Sequence, residues 1–322
     1  MTLITAMKFN AHEGAIIADE ESTDSNRKYL FSMKISQIEA NDVVTLFGGT
    51  GMADVLYDSS MEIKKRLEKH KSKLIDNQAM ANYIANVFGD IRRKYTDSYL
   101  WNKYGISEAE FHTGQKMLPD GRTAPIDKSI MEQYHQTVQE RNDFSEMIHN
   151  AFLIMTKDPQ SVDLFIASMK LRRATPVPRP YSAVGSGYDI ADAELYNFFE
   201  HISREEREKI NPLDGLAALL YATERASVRN VGVGGTPHIK VIHDDKILDP
   251  SENNSLLALE ITKATSRGFL SKKFQREALD ALIYQNADYK SMNAEMHRKA
   301  ENQEKLNLFL RGYKCQNSAD CY

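Results

Sequence analysis

TLITAMKF, residues 2–9, directly follows Met1 and reads as a half-buried strand, its Thr, Ile, Met and Phe alternating along the pleat. Its first residue bears most on function. Thr is small enough to permit aminopeptidase removal of Met1. A chain that then starts at Thr2 carries a self-contained catalytic pair, because the hydroxyl is a nucleophile and the free α-amine can take its proton. Such an amine titrates at about 7.7–8.0, close to what a general base needs near neutral pH. Alone, Thr in second place is ordinary, so the reading depends on what surrounds it.

Outward from that strand, a turn at Asn10–Gly14 leads to AIIAD (15–19), which predicts an opening hairpin. KYLFSMKISQI (28–38) and DVVTLFG (42–48) predict two more strands. The period turns helical over 53–75 and 77–95, both dense in Lys, Glu and Ala. Residues 96–145 are aromatic and charged, with a turn at Pro119–Gly121 and the single Trp101, and read as an inserted helical region. A strand resumes at VDLFIASM (162–169), and the basic, Pro-rich KLRRATPVPRP (170–180) is a linker. Then come a strand ending in SAVGSG (182–187), helices over 189–200 and 213–227, a strand at HIKVIHD (238–244), and polar helices to the end. Strands and helices come in groups rather than strict alternation. That argues for an α+β fold of stacked antiparallel sheets with helical layers outside, not a parallel doubly wound sheet.

The chain has 322 residues, 42% hydrophobic and 27% charged, enough for one large core or two small ones. A net charge of −4 gives no global signal for nucleic acid or an anionic membrane surface. No run is apolar enough to span a bilayer, and the N-terminus lacks the layout of an export signal. The only cysteines, Cys315 and Cys321, lie close to the C-terminus and read as free thiols, so the expected compartment is cytoplasmic. The nine histidines form no HExxH pattern, no GxSxG elbow is present, and VGVGG (231–235) is too loose for a dinucleotide fingerprint. Neither a metal nor an organic cofactor is expected.

Several segments together resemble the proteasome β-subunit and its bacterial HslV-type relatives, the threonine members of the N-terminal nucleophile (Ntn) hydrolases. TLITAMKF is similar to the family's opening strand, and AIIADEEST to its apolar strand ending in Asp. MKISQI places Lys34 at the family's distance from the leading Thr. AVGSGYDIA is similar to a Gly-Ser-Gly turn ahead of a helix, and FGGTGMAD to the glycine turn that ends in Ala-Asp. The resemblance covers about a third of the chain, roughly residues 2–57 and 180–245. It implies a four-layer αββα sandwich over residues 1–260, with the 96–145 region inserted and 261–322 a helical extension. It also implies acyl transfer in which Thr2 is the nucleophile, Lys34 depresses the proton affinity of the Thr2 amine, and Asp19 holds Lys34 charged. Ser186 would orient the amine. The backbone N–H groups of the Gly49–Thr50–Gly51 turn would form the oxyanion hole, and Thr23 would bind substrate as an added strand. The expected partner is a polypeptide substrate. Homo-oligomers and an ATPase partner stay open, while nucleic acid and membrane are not expected.

Each residue also has an ordinary reading: Asp19 as a turn former, Lys34 as a solvated edge residue, GSG and GGTG as flexible turns. Their joint order and spacing carry the functional reading. Two departures stand against it. Asp19 comes one residue later than in the family, and Asn230 and Val233 stand where the family often has Asp and Ser, leaving Asn230 as an uncharged supporting residue. The alternatives are a transpeptidase or ligase using the same acyl-enzyme, and a catalytically silent binding protein of the same fold.

Overall fold

The computed structural model describes residues 2–24, 27–30, 34–139, 150–169, 171–203, 205–230 and 233–311. Two five-stranded antiparallel sheets form its centre. The first runs, edge to edge, Tyr181–Gly185 (β12), Leu3–Lys8 (β1), Glu13–Ala18 (β2), His238–His243 (β13) and Lys246–Leu248 (β14). The second runs Thr175–Pro176 (β11), Val162–Ser168 (β10), Ala151–Lys157 (β9), Val43–Thr50 (β6) and Ile35–Ala40 (β5).

The period-2 pattern of the strands decides the layering. From β1 and β2, Ile4, Ala6, Ile16 and Ala18 meet Leu46, Leu153 and Met155 of the facing sheet in a core between the sheets. The alternate residues, Leu3, Met7 and Ile17, point outward against helices Tyr188–Glu200 (α5) and Pro212–Arg229 (α6). On the far side, Phe47, Phe152 and Ile154 pack under Ala53–His70 (α1) and Asn77–Tyr104 (α2). Phe152 stacks edge-on against Phe47 at 5.5 Å and tilts against Phe88 of α2 at 4.5 Å. Each such fully buried side chain is worth about 1.5–3 kcal/mol of transfer free energy. The result is the αββα sandwich.

Caps set the helix ends. Asp76 accepts the Ala79 N–H to start α2, and Gly105, left-handed at φ 66°, ends it. Asn211 caps α6 with Pro212 in its first turn. Because α2 continues to Tyr104, it passes through position 96. Helix Glu108–Thr113 (α3), a small hairpin of Gln115–Met117 (β7) and Thr123–Pro125 (β8), and helix Lys128–Gln139 (α4) follow it.

Several strand expectations change, among them a strand, Thr175–Pro176, inside the stretch read as a linker. Residues 28–38 are not one strand: Arg27–Leu30 (β4) pairs with Glu21–Asp24 (β3) in a separate hairpin, and β5 starts afresh at Ile35. The central strand β9 has no counterpart in the sequence reading. Towards the C-terminus, Glu252–Ser266 (α7), Lys272–Leu279 (α8), Tyr289–Lys299 (α9) and Gln303–Leu310 (α10) form a second helical tier. Leu257, Leu279, Met296 and Leu306 share one core with α5 and α6. Met1, Cys315 and Cys321 lie outside the described residues. No helix among the described residues is long and apolar enough to cross a membrane.

Candidate active site

Thr2 stands at the end of the first sheet where β1 begins and where β2 and β12 finish, since Leu3 pairs with Gly185 and Ile4 with Ala18. The residue after β2 is Asp19. Its backbone continues the ladder by donating to Leu3 O at 3.1 Å, and its side chain turns back under the strand. Oδ1 accepts the Leu3 N–H at 2.8 Å and, at the same distance, the Lys34 ammonium. Oδ2 accepts the Gly234 N–H at 3.3 Å. Lys34 Nζ therefore lies within two hydrogen-bond lengths of the peptide nitrogen that follows Thr2.

The pair is buried, with side-chain exposures of 6% for Lys34 and 1% for Asp19. Burial pushes the Asp19 carboxyl above its ordinary 3.8, while Lys34 and the Leu3 and Gly234 N–H groups pull it down. Three donors on one carboxylate are the arrangement that holds an anion in place, and that anion fixes the Lys34 cation beside Thr2.

Ser186 meets Thr2 from β12. Its backbone N–H donates to Thr2 O at 2.9 Å, and its hydroxyl lies 3.4 Å from the same oxygen. The glycine before it makes this approach possible. Gly185 has φ +108°, and a Cβ there would overlap the Thr2 carbonyl oxygen and stand 2.8 Å from its carbon. The GSG segment is thus a close backbone approach rather than a flexible turn. Asn230, at the C-terminal end of α6, donates its amide to Ser186 O at 2.7 Å and ties the turn to the helix.

The second sheet reaches the same end. Gly48, opposite Ile35, has no room for a side chain: a Cβ would lie 2.8 Å from Ile4 Cδ1 and 3.0 Å from Lys34 O. The expected turn at Gly49–Gly51 is corrected in part. Gly49 and Thr50 are the last strand residues of β6, paired with Phe152 and Ala151, and only Gly51, at φ +133°, turns. Successive strand residues direct their N–H groups to opposite edges. Since β5 begins only at Ile35, one of Gly49 and Thr50 directs its N–H past the end of β5, on the Lys34 side.

Asn150, absent from the sequence reading, locks this corner. It is 1% exposed, its Oδ1 accepts the Met52 N–H at 2.6 Å ahead of α1, and a Cβ on Gly51 would come within 2.5 Å of its Cγ. A single polar residue in front of an unrecognised strand offers no sequence signal. Gly234 belongs to the VGVGG run (231–235), and its N–H to Asp19 is a role that the run's looseness as a motif did not indicate. Thr23 lies in β3, paired with Lys28, and its side chain is outside the described residues. No group of three metal-ligating side chains occurs among the described residues.

No family model and no curated protein matches the chain. Similar solved structures include two Anbu proteins. The Anbu described as an ancestral beta-subunit from Yersinia bercovieri is 12% identical with a TM-score of 0.51, and the match covers 83% of this chain and 94% of that one. The Anbu Gly-1 mutant from Hyphomicrobium sp. strain MC1 is 11% identical with a TM-score of 0.49, covering 84% and 99%. At such identity the first supports a distant proteasome-like fold and nothing finer. The motif resemblance to the proteasome β-subunit and HslV family therefore does not extend to membership. Segments covering a third of a chain can agree because sequences this far apart still share a strand framework.

Proposed function

We propose that the protein is an N-terminal nucleophile enzyme acting on a peptide or amide carbonyl through an acyl-enzyme on Thr2. The observation that carries the reading is the Asp19 carboxylate. It holds the Lys34 ammonium at 2.8 Å and, through the same oxygen, the backbone one bond beyond Thr2. A structural lysine gains little from burial, whereas a cation fixed beside an α-amine depresses that amine's proton affinity and lets it act as a base near neutral pH.

Removal of Met1 frees the amine. Thr2 Oγ attacks the carbonyl carbon as its proton passes to the amine, and the N–H at the end of β6 stabilises the oxyanion, a contact worth roughly 3 kcal/mol. The protonated amine then gives the proton to the leaving nitrogen, and water resolves the ester. Ser186 and Asn230 position the Thr2 carbonyl. Gly185 admits them.

The test is intact mass before and after treatment with a β-lactone. A mature chain lacking Met1, with one adduct that Thr2→Ala abolishes, supports the proposal. Retained Met1 with no adduct sinks it and leaves a silent protein of this fold. Product analysis with an added amine separates hydrolysis, which yields free acid, from transpeptidation.

A further inference from the structure

Away from Thr2, on the outer helical face of the first sheet, the α5–α6 connection, α6, α7 and α8 enclose a cleft of about 800 Å³. That is the size of a small-molecule site. Ala217 and Ala218 leave the hollow, and Phe198 and Ile202 give it an apolar wall. Of its two acids, only Asp214 is neutralised by a cation among the described residues. Asp214 is clamped by Arg276 through two bonds of 2.6 and 2.7 Å, and Glu206 accepts the Ser203 N–H at 3.1 Å. Two exposed rim cations, Lys209 and Lys272, form no ion pair with a described residue.

An apolar wall and two unpaired ammonium groups, against a single unpaired carboxylate, fit one ligand chemistry. We infer that this cleft binds an amphipathic organic anion, a carboxylate carrying an apolar body, independently of the chemistry at Thr2. The carboxylate sits between Lys209 and Lys272, and the body lies over Ala217 and Ala218.

Octanoate, titrated into the full chain by calorimetry, is the probe, with octanol as its uncharged counterpart. One octanoate per chain is expected, with octanol at least tenfold weaker. The double variant Lys209→Glu, Lys272→Glu should weaken octanoate by roughly tenfold or more, each tenfold being about 1.4 kcal/mol. Both residues lie on the surface, so this variant keeps the test valid if the cleft-filling Ala218→Leu fails to fold. A folded Ala218→Leu should lose binding. The inference is overturned by no octanoate binding at millimolar concentration, by octanol binding as tightly, or by unchanged affinity in the lysine double variant.

Discussion

Replacing Asp19 by Asn keeps the shape of the residue and removes its charge. Asn Oδ1 can still receive Leu3 N–H and Lys34, but the amide nitrogen turns a donor toward the Gly234 N–H, which Asp19 Oδ2 accepts at 3.3 Å. Stripping the counter-charge from a lysine only 6% exposed costs about 3–5 kcal/mol. The opposed Gly234 N–H adds roughly 1–3 kcal/mol. Lys34→Met should cost less, because burial already raises the Asp19 carboxyl and the orphaned acid can escape by protonating. The double variant should be more stable than the sum of the singles predicts, by about 0.5–3 kcal/mol. Urea denaturation at neutral pH gives the cycle. A pH series supplies an independent check. A carboxyl raised in the folded state binds more protons folded than unfolded, so its contribution is fully present below the unfolded value and is lost as pH rises through the folded one. The deficit of Lys34→Met should therefore shrink on acidification. Additive singles, or a deficit flat in pH, would refute the idea that Asp19 and Lys34 act as one buried unit.

Gly185→Ala drives a Cβ into the Thr2 carbonyl at a φ of +108°, so both strain and displacement follow. The variant should lose about 1–3 kcal/mol and β-lactone reactivity together, read by denaturation and intact mass. Asn150→Ala leaves the Met52 N–H without its 2.6 Å acceptor at the head of α1, and a loss of roughly 1–3 kcal/mol is expected; an unchanged denaturation midpoint would remove Asn150 from the site's support. Burial holds the His238 imidazole below its ordinary 6.5, with Asp249 partly offsetting it. The unfolded chain then takes up the proton first, so stability falls as pH drops below that value and levels off beneath the folded one. His238→Gln should flatten this slope in urea midpoints taken across the window.

How much of this was legible depends on whether a residue's role lies along the chain or across it. β1, β2 and the helices α1, α5 and α6 follow from the hydrophobic period, which is local. The strand β9 did not stand out, although AFLIM (151–155) is a continuous apolar run. It is buried on both faces, between α2 and the first sheet, and so shows no alternation. The helix α2 overran its expected end because Leu100, in its last turns, is fully buried, and burial there depends on partners the sequence does not name. The β4–β5 break within 28–38 has the same origin: which strand pairs with which is a property of the sheet edge.

The site divides the same way. Asp19 and Lys34 were implied by the resemblance to the proteasome β-subunit pattern, and the geometry joins them in one salt bridge. The glycines were undervalued, because a glycine's meaning is set by what would occupy the space of its missing Cβ. Beside Gly185 that neighbour is Thr2, beside Gly48 it is Ile4 and Lys34, and beside Gly51 it is Asn150. All three are contacts between elements distant in sequence. Together they bring two sheets and a helix start to within backbone distance at one end of the sandwich. Gly185 at φ +108° and Gly51 at φ +133° exclude alanine by backbone conformation as well as by space, and Gly48 by space alone. Gly48 against Lys34 and Gly185 against Thr2 are therefore the two approaches on which the role proposed for Thr2 depends.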